Sequence, residues 1–212
     1  MNLSYKVGDD PVTVQKNRAV FFSDLRVSEQ QLANPHQVHS ASVRTVTLPG
    51  EYEACDALIT NRVGVALGVT IADCVPILLF DPVRKAIGIV HAGWRGTSQE
   101  IAVQTIEQMR KDFGVEPAHI RVFIGPSAGA CCYEVGEDVA VKFKNKIVSF
   151  KTKRTFVDLK KENAAQFVCQ GVNTKNIEVS RHCTICESGL FHSFRRDGAT
   201  SGRMMAVICR TS

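Results

Sequence analysis

Residues 57–90, ALITNRVGVALGVTIADCVPILLFDPVRKAIGIV, decide the fold class of this chain. They contain short apolar runs, most of them rich in β-branched residues, at 57–60, 65–71, 76–80 and 86–90. Runs of this length, separated by residues that favour turns, predict strands at the centre of a sheet whose two faces are both covered. The covering layers must come from the rest of the chain.

Helical signals stand on both sides of these runs. Asp10-Pro11 predicts a helix that runs to about Ser23, and the capping-box pattern Thr97-Ser98-Gln99-Glu100 predicts a helix that ends near Gly114. Further helices are expected at 137–144 and 158–171, and further extended segments at 35–39, 43–48, 122–124, 177–179, 192–194 and 204–208. Helices and strands do not follow a strict βαβ order, and no Rossmann or P-loop signature is present. The pattern predicts an α/β or α+β fold with a mixed sheet.

Composition limits the class of protein and its partners. The chain has 212 residues, 44% hydrophobic and 22% charged, which is typical of one globular domain. Its net charge of +5 is scattered, and the Lys/Arg-rich stretch 142–161 is interpreted as a solvated face. We therefore expect anionic small molecules rather than nucleic acid as partners. Asp73 and Pro76 interrupt the apolar stretch 64–80, and the N-terminus lacks an apolar signal sequence, so we expect no membrane partner and a cytoplasmic location.

Reactive side chains occur at the ends of predicted strands, beside glycines or turns. They lie in three segments: Gln37-Val38-His39-Ser40, Ala72-Asp73-Cys74-Val75-Pro76 and His91-Ala92-Gly93-Trp94-Arg95-Gly96. In the third segment, backbone N–H groups near Gly93 and Gly96 and the guanidinium of Arg95 precede a predicted helix. Such groups bind phosphate or another oxyanion, although an ordinary tight turn has the same pattern.

His39, Cys74 and His91 are the candidate metal ligands. Two imidazoles and one thiolate suit Zn²⁺ and leave one tetrahedral position for water, and copper accepts the same ligands. Their spacing matches no short zinc-finger pattern, so buried thiol and core histidine roles stay open. Asp73 either supports Cys74 or satisfies a turn.

The other cysteines carry weaker signals. Cys131-Cys132 is a vicinal pair, and Cys183-Thr184-Ile185-Cys186 has the C-x-x-C spacing of a redox pair or of half a structural zinc site. No second C-x-x-C exists, so these four are predicted to be core thiols. Cys55, Cys169 and Cys209 are interpreted as small hydrophobic residues.

Several of these motifs together resemble the YfiH/YlmD family, bacterial relatives of the human laccase-domain protein FAMIN. The resemblance covers nearly the whole chain and rests on Gln37-Val38-His39, 55–60 (CDALIT), 72–76 (ADCVP), 91–96 (HAGWRG), 124–127 (IGPS), 131–136 (CCYEVG), 183–186 (CTIC), 194–198 (FRRDG) and Gly202-Arg203. The segments 91–96 and 131–136 are the most specific.

The resemblance implies an α+β fold with four layers, α/β/β/α, and mixed sheets. It implies that His39, Cys74 and His91 form a catalytic zinc site. The implied activities are phosphorolysis of adenosine, inosine or methylthioadenosine, with phosphate as co-substrate, and deamination of adenosine. Arg95, Gly93 and Gly96 are the expected phosphate-binding residues. Residues 1–212 are expected to be one domain that lacks the family's N-terminal arm, and Ser40 stands where the family usually has Gly.

Other functions remain open from the sequence. The family was named for a copper-dependent polyphenol oxidase, but a multicopper enzyme needs about ten histidine ligands. This chain has six histidines. Three more hypotheses are an amidase that edits cell-wall precursors, a nucleophilic role of Cys74 beside a histidine, and a domain without turnover. Arg195 and Asp197 are expected to brace a turn, whereas neither a role for Asp56 nor an oligomeric state is predicted.

Overall fold

The structure, a computed structural model, describes residues 1–144, 146–148 and 154–211, with the backbone alone for 146–148. Part of the basic stretch 142–161 therefore lies outside the described residues. The helices are α1 (Pro11–Leu25), α2 (Trp94–Ser98), α3 (Ile101–Phe113), α4 (Glu137–Ala140), α5 (Leu159–Cys169) and α6 (Phe194–Asp197). In this part of the chain, no helix combines the length and the apolar character that a membrane crossing requires.

The strands form sheets of six, four and three strands. They are β1 (Leu32–Pro35), β2 (Val43–Thr45), β3 (Gly50–Tyr52), β4 (Ala57–Thr60), β5 (Ala66–Ile71), β6 (Val75–Asp81), β7 (Ala86–Ala92), β8 (Arg121–Ile124), β9 (Glu134–Val135), β10 (Lys146–Val148), β11 (Thr155–Val157), β12 (Ile177–Val179) and β13 (Met204–Cys209). The strand orders are β12-β8-β6-β7-β4-β2, β13-β5-β1-β3 and β10-β11-β9. The two larger sheets each contain parallel and antiparallel pairs, as the sequence predicts.

Alternating side chains of the central strands define the layers. On β4, Ala57 and Ile59 pack into the core that includes Met109 of α3, whereas Leu58 packs with Leu67 of β5 into a second core. The period of two places one core between the six-stranded sheet and helices α3 and α5, and the other between the two large sheets. On the outer face of the four-stranded sheet, Phe22 of α1 forms a third cluster. This order confirms the α+β fold class and is consistent with four layers.

The strongest sequence signals are confirmed by the structure. The strands expected at 57–60 and 177–179 have those bounds, and those expected at 65–71, 76–80, 86–90, 122–124 and 204–208 differ by one or two residues at an end. Helix α1 begins at Pro11, where the Asp10 carboxylate accepts hydrogen bonds from the Val12 and Thr13 backbone N–H groups. Helix α3 ends at Gly114, whose φ is +66°.

Four local predictions are wrong in whole or in part. Thr97 does not open a helix, because it lies within α2 and its hydroxyl accepts a hydrogen bond from Asn163 of α5 at 3.0 Å. The segment 192–194 is not a strand, because the Ser193 side chain caps α6. In the segment 35–39, strand β1 ends at Pro35, and the segment 137–144 is helical only as far as Ala140.

Candidate metal centre and substrate cavity

Antiparallel pairing brings Cys74 and His91 to the same end of the six-stranded sheet. Val75, the first residue of β6, is paired with Ala92, the last residue of β7. Cys74 therefore lies just before the start of β6, and His91 lies next to the last residue of the neighbouring strand β7. The turn that carries Cys74 is tight, with Asp73 at a φ of +87°.

Asp56 brings His39 to the other two residues. Asp56 is fully buried and precedes β4, whose Ala57 is paired with Val90 of β7. Its carboxylate accepts hydrogen bonds from the backbone N–H groups of His39 at 3.0 Å and Ser40 at 2.6 Å, and it contacts His91 Nδ1 at 2.8 Å. One carboxylate thus fixes the His39 loop and the His91 ring.

Gln37 fixes the entry to the same loop. Its side-chain amide donates to the Thr70 carbonyl at 2.8 Å and accepts from the Thr70 N–H at 3.0 Å. The amide therefore replaces a strand partner for β5 after β1 has ended. This exchange explains the glutamine of the Gln37-Val38-His39 motif.

The candidate ligand atoms of His39, Cys74 and His91, hereafter the triad, lie within 4.8 Å of one another. Cys74 Sγ is 3.9 Å from His39 Nε2, and the two imidazole rings are 4.9 Å apart between centroids. Because Asp56 occupies Nδ1 of His91, Nε2 is the nitrogen left for a metal ion. Two imidazole nitrogens and one sulfur form a donor set that fits zinc and also copper.

Contacts within the triad shift the pKa values of Cys74 and His91 in opposite directions. Burial alone would raise the pKa of the Cys74 thiol, but His91 and His39 beside it lower that pKa to about 6. Burial alone would lower the pKa of His91, but Cys74 and Asp56 raise it to about 9. At neutral pH Cys74 is therefore a thiolate, which is the form that binds metals.

Gly93 and Gly96 allow close packing around the triad. A Cβ atom at Gly93 would lie 3.0 Å from His39 Cδ2 and 3.1 Å from Cys74 Sγ, and one at Gly96 would lie 2.8 Å from the Ser40 carbonyl oxygen. These distances are a steric reason for both glycines, independent of the predicted binding of phosphate.

The triad lies on the wall of a cavity of about 760 Å³. This volume is within the usual range of small-ligand sites. Around the triad the wall includes Tyr133, Arg195 and Arg203. Residues 3–7 form another part of the wall and are attached to Arg203, whose carbonyl accepts from the Leu3 N–H at 2.9 Å.

Arg95 has a different position. Its side chain is exposed, its guanidinium lies 4.4 Å from the centre of the Trp94 ring, and it does not line the cavity. It lies near Tyr133, since Arg195 and Arg95 both oppose the rise that burial causes in the pKa of Tyr133, which reaches about 12. Arg95 is therefore close to the cavity but outside its wall.

The sequence interpretation of Arg195 and Asp197 is half right. Asp197 does brace a turn, but through a bidentate pair with Arg196, at 2.8 Å and 2.7 Å. Arg195 instead donates to the Glu134 carbonyl at 2.7 Å, lies over the Tyr133 ring and faces the cavity.

Asp73 connects the triad to the C-terminal loops. Its carboxylate accepts hydrogen bonds from the Thr184 hydroxyl at 2.7 Å, the Ser193 hydroxyl at 3.0 Å and the Arg195 N–H at 2.6 Å. These three donors belong to the C-terminal loops. Of the two roles that the sequence leaves open for Asp73, the structure therefore favours support of the segment that carries Cys74.

Sequence reasoning missed Asp56, Arg203 and Tyr133 as residues of the site. A signal existed for Asp56, because a carboxylate directly before an apolar strand has to find partners when it is buried. No local signal existed for Arg203 or Tyr133, whose place at the cavity depends on how the loops pack.

Known proteins resemble this chain over almost its whole length. A family model described as multi-copper polyphenol oxidoreductase laccase matches residues 1–211. The purine nucleoside phosphorylase of Deinococcus radiodurans is 39% identical over 204 residues, covering 94% of this chain and 78% of that protein. Adenosine deaminase RL5, from an unknown prokaryotic organism, is 36% identical over 228 residues, covering 99% of this chain and 87% of that protein.

Solved structures agree with these matches. The crystal structure of YlmD from Geobacillus stearothermophilus has a TM-score of 0.94 and 34% identity, covering 100% of this chain and 85% of that one. The YfiH crystal structure from Bacillus licheniformis has a TM-score of 0.92 and 34% identity, covering 99% and 85%. The chain therefore belongs to the multi-copper polyphenol oxidoreductase laccase family, together with YfiH and YlmD.

Proposed function

We propose that this protein is a zinc-dependent purine nucleoside enzyme. It would cleave adenosine, inosine and methylthioadenosine with phosphate, and would deaminate adenosine to inosine with release of ammonia. The observation that carries the proposal is the triad on the wall of a cavity that Arg195 and Arg203 also line. The names of the relatives, purine nucleoside phosphorylase and adenosine deaminase, support the same two reactions.

His39, Cys74 and His91 would hold the zinc ion. When bound there, zinc supplies Lewis-acid activation of water or of a substrate oxygen. Asp56 orients His91 through Nδ1 and holds the His39 loop through backbone N–H groups. The buried carboxylate thus keeps the ligand atoms in place without contacting the substrate.

Arg195 and Arg203 are the proposed phosphate ligands, because both are permanently charged and both face the cavity. A phosphate dianion held by these guanidiniums would attack C1′ of the ribose, and the purine base would leave. Gly93 and the start of α2, which contains Arg95 and Gly96, are the second candidate position for phosphate. Helix α2 has only 5 residues.

Comparing the two reactions distinguishes between these two candidate phosphate sites, because phosphorolysis uses phosphate and deamination does not. Replacing Arg203→Met should raise KM for phosphate by about tenfold or more, the effect of one charged hydrogen bond. Deamination by the same variant should change much less. If Arg95→Met raises KM for phosphate and Arg203→Met does not, the second position is correct.

The test of the function itself is product analysis on zinc-loaded protein. Incubation of adenosine with phosphate should yield adenine and ribose 1-phosphate, and incubation without phosphate should yield inosine. His91→Ala should reduce zinc content and both activities together. A zinc-loaded protein that forms none of these products contradicts the proposal.

Copper chemistry is the second candidate, because the family description names a polyphenol oxidoreductase and the triad accepts copper. All six histidines lie in the described residues, and of these only His39 and His91 belong to a group that could hold a metal. This arrangement favours zinc. Stoichiometric copper together with oxygen uptake on a phenol would reverse the order.

A further inference from the structure

Two loops distant in the sequence bring four cysteines together. Cys131 and Cys132 lie in the loop before β9, and Cys183 and Cys186 lie in the loop after β12. Their sulfur atoms are within 4.8 Å of one another, with Cys132 and Cys186 at 3.1 Å and Cys131 and Cys186 at 3.5 Å. The vicinal pair is thus the partner of the C-x-x-C. The prediction of core thiols is wrong for Cys131 and Cys186, which are exposed, whereas Cys183 is buried.

These distances fit a metal ion better than a disulfide. A disulfide joins sulfurs at about 2.05 Å, and all eight cysteines are free. Four sulfurs at about 2.3 Å from a tetrahedral zinc ion are separated by about 3.8 Å. The separations in this four-cysteine cluster, from 3.1 Å to at most 4.8 Å, lie on both sides of that value.

Hydrogen bonds of the backbone and of the Lys160 side chain hold the cluster in place without any metal. Ser127 and Cys183 form a parallel bridge, and the Thr184 N–H donates to the Ser127 carbonyl at 3.0 Å. Lys160 of α5 donates to the carbonyls of Ser180 and His182, both at 2.8 Å, and so fixes the chain before Cys183. A site whose ligands are already positioned loses little conformational entropy when the metal binds.

Gly129 adds a hydrogen bond typical of metal-bound sulfur. Its N–H donates to Cys183 Sγ at 3.2 Å, and a Cβ atom at this position would lie 3.2 Å from Cys131 Sγ. Hydrogen bonds from outer groups to the ligand atoms are a general feature of metal sites. Glycine at 129 leaves room for both sulfurs.

From this geometry we propose that Cys131, Cys132, Cys183 and Cys186 bind a second zinc ion, which is structural. Four protein ligands leave no open position, unlike the triad, so this site has no role for substrate or water. The site is separate from the proposed function and does not depend on it.

The second site connects two loops that form the cavity. Tyr133, directly after Cys132, lines the cavity, and Thr184, directly after Cys183, donates to Asp73 beside Cys74. A zinc ion between these loops therefore holds both the Tyr133 wall and the Asp73 turn. Its loss should weaken the substrate site without removing the triad.

Metal content tests the proposal. Wild type reloaded with zinc should contain two zinc ions per chain by mass spectrometry, and the double variant Cys131→Ser/Cys186→Ser should contain one. Cys169→Ser, which removes an exposed cysteine outside the cluster, is the matched control and should keep two. His39→Ala should lose the other ion and keep one. One zinc ion in wild type and one in the double variant would overturn the proposal.

Cobalt gives a second readout that does not need the double variant to fold. His39→Ala titrated with Co²⁺ should give the intense thiolate-to-cobalt absorption and the visible bands of a tetrahedral site with four sulfurs. Absence of this spectrum in reduced, folded His39→Ala would overturn the proposal. A disulfide between Cys132 and Cys186 in protein purified under reducing conditions would do so as well.

Discussion

Gly93 determines how closely the backbone approaches the triad. Its φ of −73° and ψ of 174° suit any residue, so Gly93→Ala causes no backbone strain. The added methyl group would lie 3.0 Å from His39 Cδ2 and 3.1 Å from Cys74 Sγ and must displace one of them. We expect zinc affinity at the triad to fall by about tenfold or more, the scale of losses seen when the surroundings of metal ligands change.

The matched control is Gly189→Ala, where an added Cβ meets nothing within 4 Å. Both variants should melt within a few degrees of wild type, because neither opens a cavity. Zinc retained by the triad at a fixed free zinc concentration is the measurement, with phosphorolysis as a second readout. Equal zinc retention in Gly93→Ala and Gly189→Ala would show that the close approach has no effect.

The second residue-scale prediction concerns the proton on His91. In the metal-free protein, Cys74 and Asp56 raise the pKa of His91 to about 9, above its usual value near 6.5. His91 should therefore remain an imidazolium through neutral pH and lose its proton only around pH 9. Cys74→Ser removes the thiolate that stabilises this charge, so the pKa of His91 should fall.

NMR of histidine-labelled, metal-free protein measures this titration directly. The His91 resonances of wild type should move near pH 9, and those of Cys74→Ser at lower pH. Because zinc must displace this proton, zinc affinity at the triad should rise about tenfold per pH unit between pH 6 and 9. Titration of His91 near pH 6.5 in both proteins would contradict the prediction.

At the scale of single residues, the sequence identified the candidate metal ligands but not the groups that position them. His39, Cys74 and His91 are chemically conspicuous beside glycines, and the structure brings them together. Asp56 accepts its hydrogen bonds from a loop and a strand that meet only in the folded chain. Such partners depend on tertiary contacts, which a local pattern does not contain.

Among the elements, the break between α2 and α3 is the clearest departure from the sequence pattern. Glu100 has a φ of 60° and a ψ of 42°, and its side chain makes no capping hydrogen bond. A non-glycine residue in this left-handed conformation costs about 1–2 kcal/mol, whereas glycine adopts it freely at an entropic cost of about 0.5–1 kcal/mol. Glu100→Gly should therefore increase the free energy of unfolding by about 0.5–1 kcal/mol.

Gln99→Gly is the control, since Gln99 is also exposed but has a φ of −96°. It should lower the free energy of unfolding by about 0.5–1 kcal/mol, because glycine brings only its entropic cost there. Urea denaturation of both variants at fixed free zinc gives the comparison. If the two variants are destabilised equally, the conformation of Glu100 carries no strain.

Helices and strands were predictable where the burial of a whole run decides them. They were not predictable where the contacts of a single side chain decide where an element begins or ends. The run 57–60 is buried at every position, so its strand follows from the apolar sequence alone. Thr97 is a residue type that often caps helices, but here it is buried against α5 within α2, and α3 begins at Ile101. The cysteine cluster was missed for a related reason: its two halves meet through tertiary contacts such as the bridge between Ser127 and Cys183.

For the molecule as a whole, the central strands belong to two cores at once. Leu58 and Ile59 are neighbours on β4, yet Leu58 packs between the two large sheets and Ile59 packs towards α3. Neither core can be lost without moving the strand that fills the other. The layers should therefore unfold as one cooperative unit despite the length of the chain.

Leu58→Ala and Ile59→Ala test this cooperativity, because both residues are fully buried and each opens a cavity in a different core. Each should lower the free energy of unfolding by about 2–5 kcal/mol. The single tryptophan, Trp94, packs against the helix-side core, so its fluorescence reports that core, while far-ultraviolet circular dichroism reports all elements. The two signals should change together in both variants at fixed free zinc. If the circular dichroism of Leu58→Ala changes before the fluorescence, the four-stranded sheet separates first and the cores are independent.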